Sequence, residues 1–521
     1  MEEGVVLSPR VVCMLLLCCV QVLGAQTATD SHEALQKAVA LIQQGRLEEA
    51  DQQARLALRD RETQAVAFSV LGTIRFQQTR LPESATFLRD AIRLEPHLIG
   101  AHLSLAQVYT LQGKHSSAVG LLRRVLELDP SNAEARVALA GAEAGKGNYR
   151  RSLDLARPAL EVFKQSSEGL MVLATDFLKT GNRVAAAELV KDWARLSDVP
   201  QAWSIKFALL LAKEGVVAEA IAILERARQT SPPSYELAFN LGGAYLLVGD
   251  PARALDAYDA ALRLEPDSLP ALRQAAETAE RHEELERSLS YWMRAKKVEP
   301  DNPEVLLGFG RVCLKMDLLD DAEAALSDAA RMRPGDSTYQ YALAAAKVGK
   351  RQFEAAQGLL ESLVRQRPQD PQLQYALGSV FYIQGRLSEA AARLEESVRL
   401  QPEQLASRYY LALVARDEGR EAEAIEGLET LLRRYPDHAA SCEALGGLLM
   451  GARRYSDAET QLRKAVALTP RSVKANYQLG LLLGRTGRTQ EASQHLDLAK
   501  SLRTEDEATS RLQLRLLEPD R

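Results

Sequence analysis

Seven histidines, His32, His97, His102, His115, His282, His438 and His495, are the side chains of this sequence best suited to moving protons or holding a metal. Either task needs several such groups on one surface, with a carboxylate or thiolate beside them. His97 and His102 are the nearest pair, and five residues apart is not a same-face helical spacing. The acidic runs Glu283-Glu284-Glu286 and Asp317 with Asp320-Asp321 read as solvated helix faces or turns. No Walker-type glycine loop, G-x-S-x-G elbow or H-E-x-x-H pair occurs. Cys13, Cys18 and Cys19 lie in an apolar leader, which leaves Cys313 and Cys442, too distant for one disulfide and read as buried small hydrophobes. The expectation is therefore no enzyme, no cofactor and no metal site.

What recurs instead is packing. From Tyr235 to Ser268 an apolar pattern of helical period (Leu237, Leu241, Gly242, Tyr245) is broken at Gly249-Asp250-Pro251. A second pattern follows (Ala254, Leu255, Tyr258, Ala261, Leu262) and stops at Pro266. This predicts a helix–turn–helix hairpin with apolar residues on too many faces to be stable alone. Steps of 34 residues find its copies. The place of Gly242 is taken by Ala38, Gly72, Ala106, Ala140, Ala174, Ala208, Ala276, Gly310, Ala344, Gly378, Ala412, Gly446 and Gly480, always Gly or Ala. The place of Ala254 is taken only by Ala or Ser, and Pro266 has counterparts from Pro96 to Pro470. Only a residue without a bulky side chain lets two helices approach there.

Small residues at repeat positions 8 and 20, aromatics near 11 and 24, Ala at 27 and Pro at 32 resemble the tetratricopeptide repeat, with Gly242, Ala254, Tyr245, Tyr258, Ala261 and Pro266 as the best copy. The resemblance covers Ser31 to about Asp506 and implies an all-α fold. That fold is a right-handed superhelical solenoid of about fourteen 34-residue repeats, closed by a C-terminal capping helix.

The copies are uneven. Residues 31–200 hold repeats one to five. The fourth and fifth are degenerate, with Lys164 and Asp198 for Pro, Trp193 for Ala, and Pro158 inside a helix, where a kink and a local change of superhelical pitch are expected. Residues 201–506 hold the regular repeats six to fourteen. Residues 507–521 are expected to form the cap, with Thr504 and Glu507 spaced as a capping box before Leu512, Leu514, Leu516 and Leu517. At the other end, residues 1–25 read as an export signal with an apolar core over 11–20 and a cleavage point near Gly24-Ala25, followed by a short linker at 26–30. The protein is thus expected in the periplasm or outside the cell, or held at a membrane by residues 11–23 if the signal stays on. No small residue precedes Cys18 or Cys19, which argues against a lipoprotein.

The resemblance also implies a concave groove lined by the first helix of each repeat. Its position 5 carries Phe239, Arg273, Tyr341, Tyr375 and Tyr409, position 9 carries Arg311, and position 12 carries Tyr382 and Arg416. The tyrosines would form a ladder of rigid rings with hydroxyls, or serve ordinary packing within each repeat; the arginines would meet an acidic partner. The family's Lys/Asn/Arg clamp for chaperone tails is not reproduced, since Asn240 has no matching Asn in adjacent copies. A net charge of −5 argues against a nucleic-acid surface. Two functions follow: an exported scaffold binding a protein or peptide in the groove, or a glycan-handling scaffold of polysaccharide export in which the tyrosines stack on sugar rings.

Overall fold

The computed structural model describes residues 30–506. The export signal, and the cap beyond Asp506, lie outside the described residues. Within them every secondary-structure element is helical, and the helices pair into fourteen hairpins whose first members begin at or next to the predicted registers, as in Gln64–Gln77, Tyr235–Leu247 and Val473–Arg485. Each helix packs mainly on its neighbours in sequence, which is the contact pattern of a solenoid. The chain divides into two compact units between Pro266 and Asp267. The boundary drawn at residue 200 on repeat quality falls inside the first unit.

Local chemistry explains the regularity. The residue before many first helices caps it: the side chains of Asn132, Ser166, Ser234, Asn302, Asp336, Asp370 and Ser472 each accept a hydrogen bond from an early backbone N–H. Every turn inside a hairpin needs one left-handed residue, and Gly45, Gly113, Gly249 and Gly385 are among those that supply it. Thr79, Glu283, Asp317, Arg351 and Arg453 take the same conformation without being glycine. Thr79, β-branched at φ 60°, is the most strained of these. Thr79→Gly is expected to raise stability by about 1 kcal/mol, read as a higher denaturation midpoint; a lower midpoint would show that its side chain matters more than its backbone.

A regularity not evident in the sequence ties the repeats together. The carbonyl of the repeat-ending proline accepts a hydrogen bond from the side chain six residues on: Arg136 to Pro130 (2.9 Å), Gln374 to Pro368 (2.8 Å), Arg408 to Pro402 (2.7 Å) and Asn476 to Pro470 (2.9 Å). His102 Nε2 lies 3.0 Å from the Pro96 carbonyl in the same way. This accounts for one of the two neighbouring histidines without a metal.

Position 8 is small for a reason more specific than two backbones meeting. A Cβ on Gly242 would lie 2.6 Å from the Tyr258 ring, and on Gly72, Gly310, Gly378, Gly446 or Gly480 it would lie 2.5–2.8 Å from a leucine. The side chain at position 24 therefore occupies the space above position 8. Where position 20 is Ser84 or Ser288, its hydroxyl donates back to the position 8 carbonyl of Gly72 (2.7 Å) or Ala276 (2.8 Å).

The degenerate repeats differ as Pro158 implies. The second helix of repeat four is broken into Tyr149–Ala156, a tighter turn over Arg157–Ala159, and Leu160–Lys164. In repeat five the second helix, Arg183–Trp193, stops early, and Asp198 turns the chain with φ 55°. Trp193, the large residue where alanine is usual, is buried and stacks on Phe207 with ring centroids 4.2 Å apart. The last helix runs unbroken from Thr489 to Asp506, the last described residue, and Thr504 lies within it.

Candidate functional site

The groove residues lie on the first helices, but the structure gives them unequal roles. In the first unit Phe239 is half-buried in an aromatic stack, 5.6 Å from the Tyr235 ring and 5.7 Å from Tyr258. In the second unit Arg273 pairs with Glu304 (2.5 Å), and Arg311 pairs with the buried Glu280 (2.8 Å), which Lys315 also reaches (3.0 Å). These arginines are already engaged by acidic groups of the neighbouring repeat. The expectation that they await an acidic partner is corrected accordingly: withdrawing Arg311 would take one of two cations from the buried Glu280 and leave it to Lys315 alone.

The tyrosines are drawn together by a residue the sequence reading passed over. Tyr410 sits beside Tyr409 and has three rings around it: Tyr375 at 5.9 Å, Tyr382 at 5.4 Å and Tyr409 at 5.7 Å, each steeply inclined to it. His438 meets the other side of the group, 5.4 Å from Tyr409. Tyr375 is only 2% exposed and belongs to the core, so it is not a rung open to a ligand. Tyr341, Tyr382 and Tyr409 are partly buried and keep some surface. A ladder of equal rungs, one per repeat, is thus replaced by a cluster centred on repeats eleven and twelve. The signal was present as the dipeptide Tyr409-Tyr410; a single stripe of positions skipped its second member.

Polar contacts fix the rings. The Tyr382 hydroxyl donates to Asp417 (2.7 Å) and accepts from Arg416 (3.1 Å), while Arg416 also donates to Asp417 (2.7 Å). Burial pushes the Asp417 carboxyl up, but Arg416 and Tyr382 outweigh it and hold it below the usual range. Burial raises the Tyr341, Tyr382 and Tyr409 hydroxyls well above the usual phenol range, so all three stay protonated. Burial also lowers His438, which favours its neutral form. Tyr341 accepts from Gln372 (2.8 Å), Gln372 accepts from Gln404 (3.3 Å), and Gln404 accepts from Ser397 and Ser407, both fully buried. This chain of hydrogen bonds crosses from repeat ten to repeat twelve.

His438 Nδ1 lies 2.6 Å from the Ser441 hydroxyl, but Ser441 is fully buried, so this pair is closed to a substrate. Cys313 is buried, with its thiol pushed up to about 12 by that burial. No group of His, Cys, Asp or Glu among the described residues is placed to hold a metal ion. What the cluster offers is rigid aromatic surface with fixed hydroxyl, guanidinium and carboxylate groups at its edge, which suits recognition of another molecule.

Family models described as tetratricopeptide repeat match residues 341–396, 384–439 and 443–507 in one version, and 109–175, 211–278 and 293–347 in another. Together they span well over half of the sequence, and the chain belongs to the tetratricopeptide repeat family. Proteins built this way are typically scaffolds for protein–protein interaction and complex assembly.

Among solved structures, the chain is similar to that of the APC/C hetero-tetramer Cut9–Hcn1 (14% identity, 84% of this chain and 93% of that one, TM-score 0.41). It is also similar to yeast Tom70 (15%, 87% and 98%, 0.38) and to a tetratricopeptide repeat protein from Parabacteroides merdae (20%, 48% and 99%, 0.37). No curated protein matches the chain.

Proposed function

We propose that this protein is an exported scaffold that holds a segment of a protein partner against the first-helix face of repeats ten to twelve. The observation that carries the reading is the cluster of Tyr382, Tyr409 and Tyr410, with Arg416 and Asp417 locked at its edge. Aromatic anchors that are already ordered lose little entropy on binding, and such residues dominate the energetics of most interfaces. The charged pairs Arg273–Glu304 and Arg311–Glu280 lie in repeats eight and nine, outside this face. The fitting partner segment is therefore apolar or aromatic where it meets the tyrosines. Sugar stacking would use ring faces open to solvent, and Tyr375, the middle rung of that reading, has none. The leader, residues 1–25, would carry the chain out of the cytosol; the intact mass of the mature protein should then lack those residues.

A photo-crosslinking amino acid placed at Tyr382 or Tyr409 should trap one partner polypeptide that the same group at Glu426, exposed on a second helix, does not. Tyr409→Ala should weaken binding of that partner by about tenfold or more, the cost of a typical hot-spot residue. Equal capture at all three positions, or unchanged affinity of Tyr409→Ala, would rule the face out. Capture of polysaccharide in place of polypeptide would return the glycan reading.

A further inference from the structure

The second helix of the last repeat, Thr489–Asp506, has 18 residues where that of the preceding repeat, Tyr455–Leu468, has 14. A short connection joins it to Val473–Arg485, so the two run antiparallel. It therefore ends on the side of the hairpins where first helices begin. Tyr409 and Tyr477 lie in the second turn of their first helices, close to that same side. The chain beyond Asp506 thus leaves beside the edge of the tyrosine face, within the same compact unit.

That part of the chain has the composition the face asks for. Leu512, Leu514, Leu516 and Leu517 fall within six residues, with only Gln513 and Arg515 between them. Tyr477 is 51% exposed, and Tyr382, Tyr409 and Tyr410 keep part of their surface. Leucines laid over rings that are already ordered leave water at little entropic cost. Two carboxylates stand beside the rings, Asp417 and Glu443, but Arg416 (2.7 Å) and Lys474 (2.8 Å) already pair with them. The leucines and not Arg515 therefore carry the contact. The reach is sufficient. From Thr489–Asp506 the path crosses Val473–Arg485 and Ala439–Gly451 to Leu405–Asp417, three helix-to-helix steps of about 10 Å, roughly 30 Å in all. Leu516 follows Asp506 by ten residues, which span up to about 33 Å.

We propose that Leu512–Leu517 lies on the tyrosine face of repeats eleven and twelve of its own chain and, on the reading that this face binds the partner, keeps it covered until a partner segment displaces it. The segment and the partner then compete for the same rings.

The test uses the full chain with a photo-crosslinking amino acid at Leu516. Monomers should yield crosslinked peptides from Pro371–Ile383 or Leu405–Asp417, and Tyr409→Ala should cut that yield by about tenfold. Crosslinks confined to Val473–Arg485 and Thr489–Asp506 would make the segment a cap on the last repeat and overturn the proposal. Crosslinked dimers would also overturn it, by placing the segment on a second copy. A further measurement does not depend on Tyr409. A synthetic peptide of residues 507–521 should bind the full chain carrying Leu512→Ser, Leu514→Ser and Leu516→Ser at least about tenfold more tightly than the parent, because in the parent the attached segment competes at an effective concentration of about millimolar. Equal binding to the two overturns the proposal. Crosslinks to the tyrosine face with no partner captured at Tyr382 would keep this contact and remove the scaffold reading.

Discussion

Asp176→Asn is expected to stabilise repeats four and five by up to about 4 kcal/mol at pH 8 and by almost nothing at pH 4. Asp176 is fully buried on the first helix of repeat five, and neither carboxylate oxygen has a hydrogen-bond partner among the described residues. Burial pushes its carboxyl up to about 7 from an ordinary 3.8, against a small opposing effect of the neighbouring Ser152 hydroxyl. The folded state therefore holds its proton over a range where the unfolded chain has lost it. The stability linked to that proton is fully present below the unfolded value, falls as pH rises, and is gone above the folded value. An amide resembles the protonated acid in shape and never ionises, so the variant should show no such slope. Hydrogen exchange across Ser167–Lys179, corrected for intrinsic rates, reads the effect locally; this matters because long arrays need not unfold in one step. Parallel pH profiles for the parent and the variant would mean that Asp176 finds a partner in solution. Glu143 makes the contrast: it is equally buried, but Arg123, Lys146, Arg151 and Asn148 surround it, and they outweigh burial to hold its carboxyl low.

Gly169→Ala, a single added methyl group, is expected to cost about 3 kcal/mol, at the upper end for overpacking. A Cβ at Gly169 would lie 2.2 Å from the backbone carbonyl oxygen of Phe163. The obstacle is main chain, and it cannot rotate aside as the leucines beside the position 8 glycines can. Gly358 supplies the control. It sits inside the exposed part of Phe353–Gln366, and a Cβ there meets nothing within 4 Å. Gly358→Ala should therefore raise stability by about 1 kcal/mol through helix propensity alone. Opposite signs in a pair of denaturation curves would confirm the reading; equal signs would show that the approach of Phe163 to Gly169 is loose.

Much of this was legible beforehand because it repeats. A glycine, an alanine and a proline at fixed intervals carry little information singly, but fourteen copies make the hairpin register unmistakable, and one misplaced proline at 158 marks the broken helix. The candidate site was less legible, for a physical reason. Position within a repeat says which face a side chain starts from, while exposure depends on what the next repeat brings. Tyr375 and Tyr409 share a position and both meet the Tyr410 ring, yet Tyr375 is sealed in the core while Tyr409 keeps some surface. Arg311 looked available because its partner, Glu280, belongs to the preceding copy. Asp176 was legible in part: its position holds Val108, Ala142, Ala244, Val312 and Leu448 in other copies, all buried, so an aspartate there falls on the core face, but the sequence does not say whether a partner meets it.

The seam from Tyr341 through Gln372 and Gln404 to Ser397 and Ser407 limits how freely the units can be exchanged. Equal lengths would let one unit be excised or duplicated without disturbing the reading of the others. Cutting out residues 371–404, however, would remove both glutamines and Ser397 together, leaving the Tyr341 hydroxyl and the Ser407 hydroxyl without these links. Repeats ten to twelve therefore behave as one indivisible block within an otherwise modular chain, and any shortened or lengthened version should keep them whole.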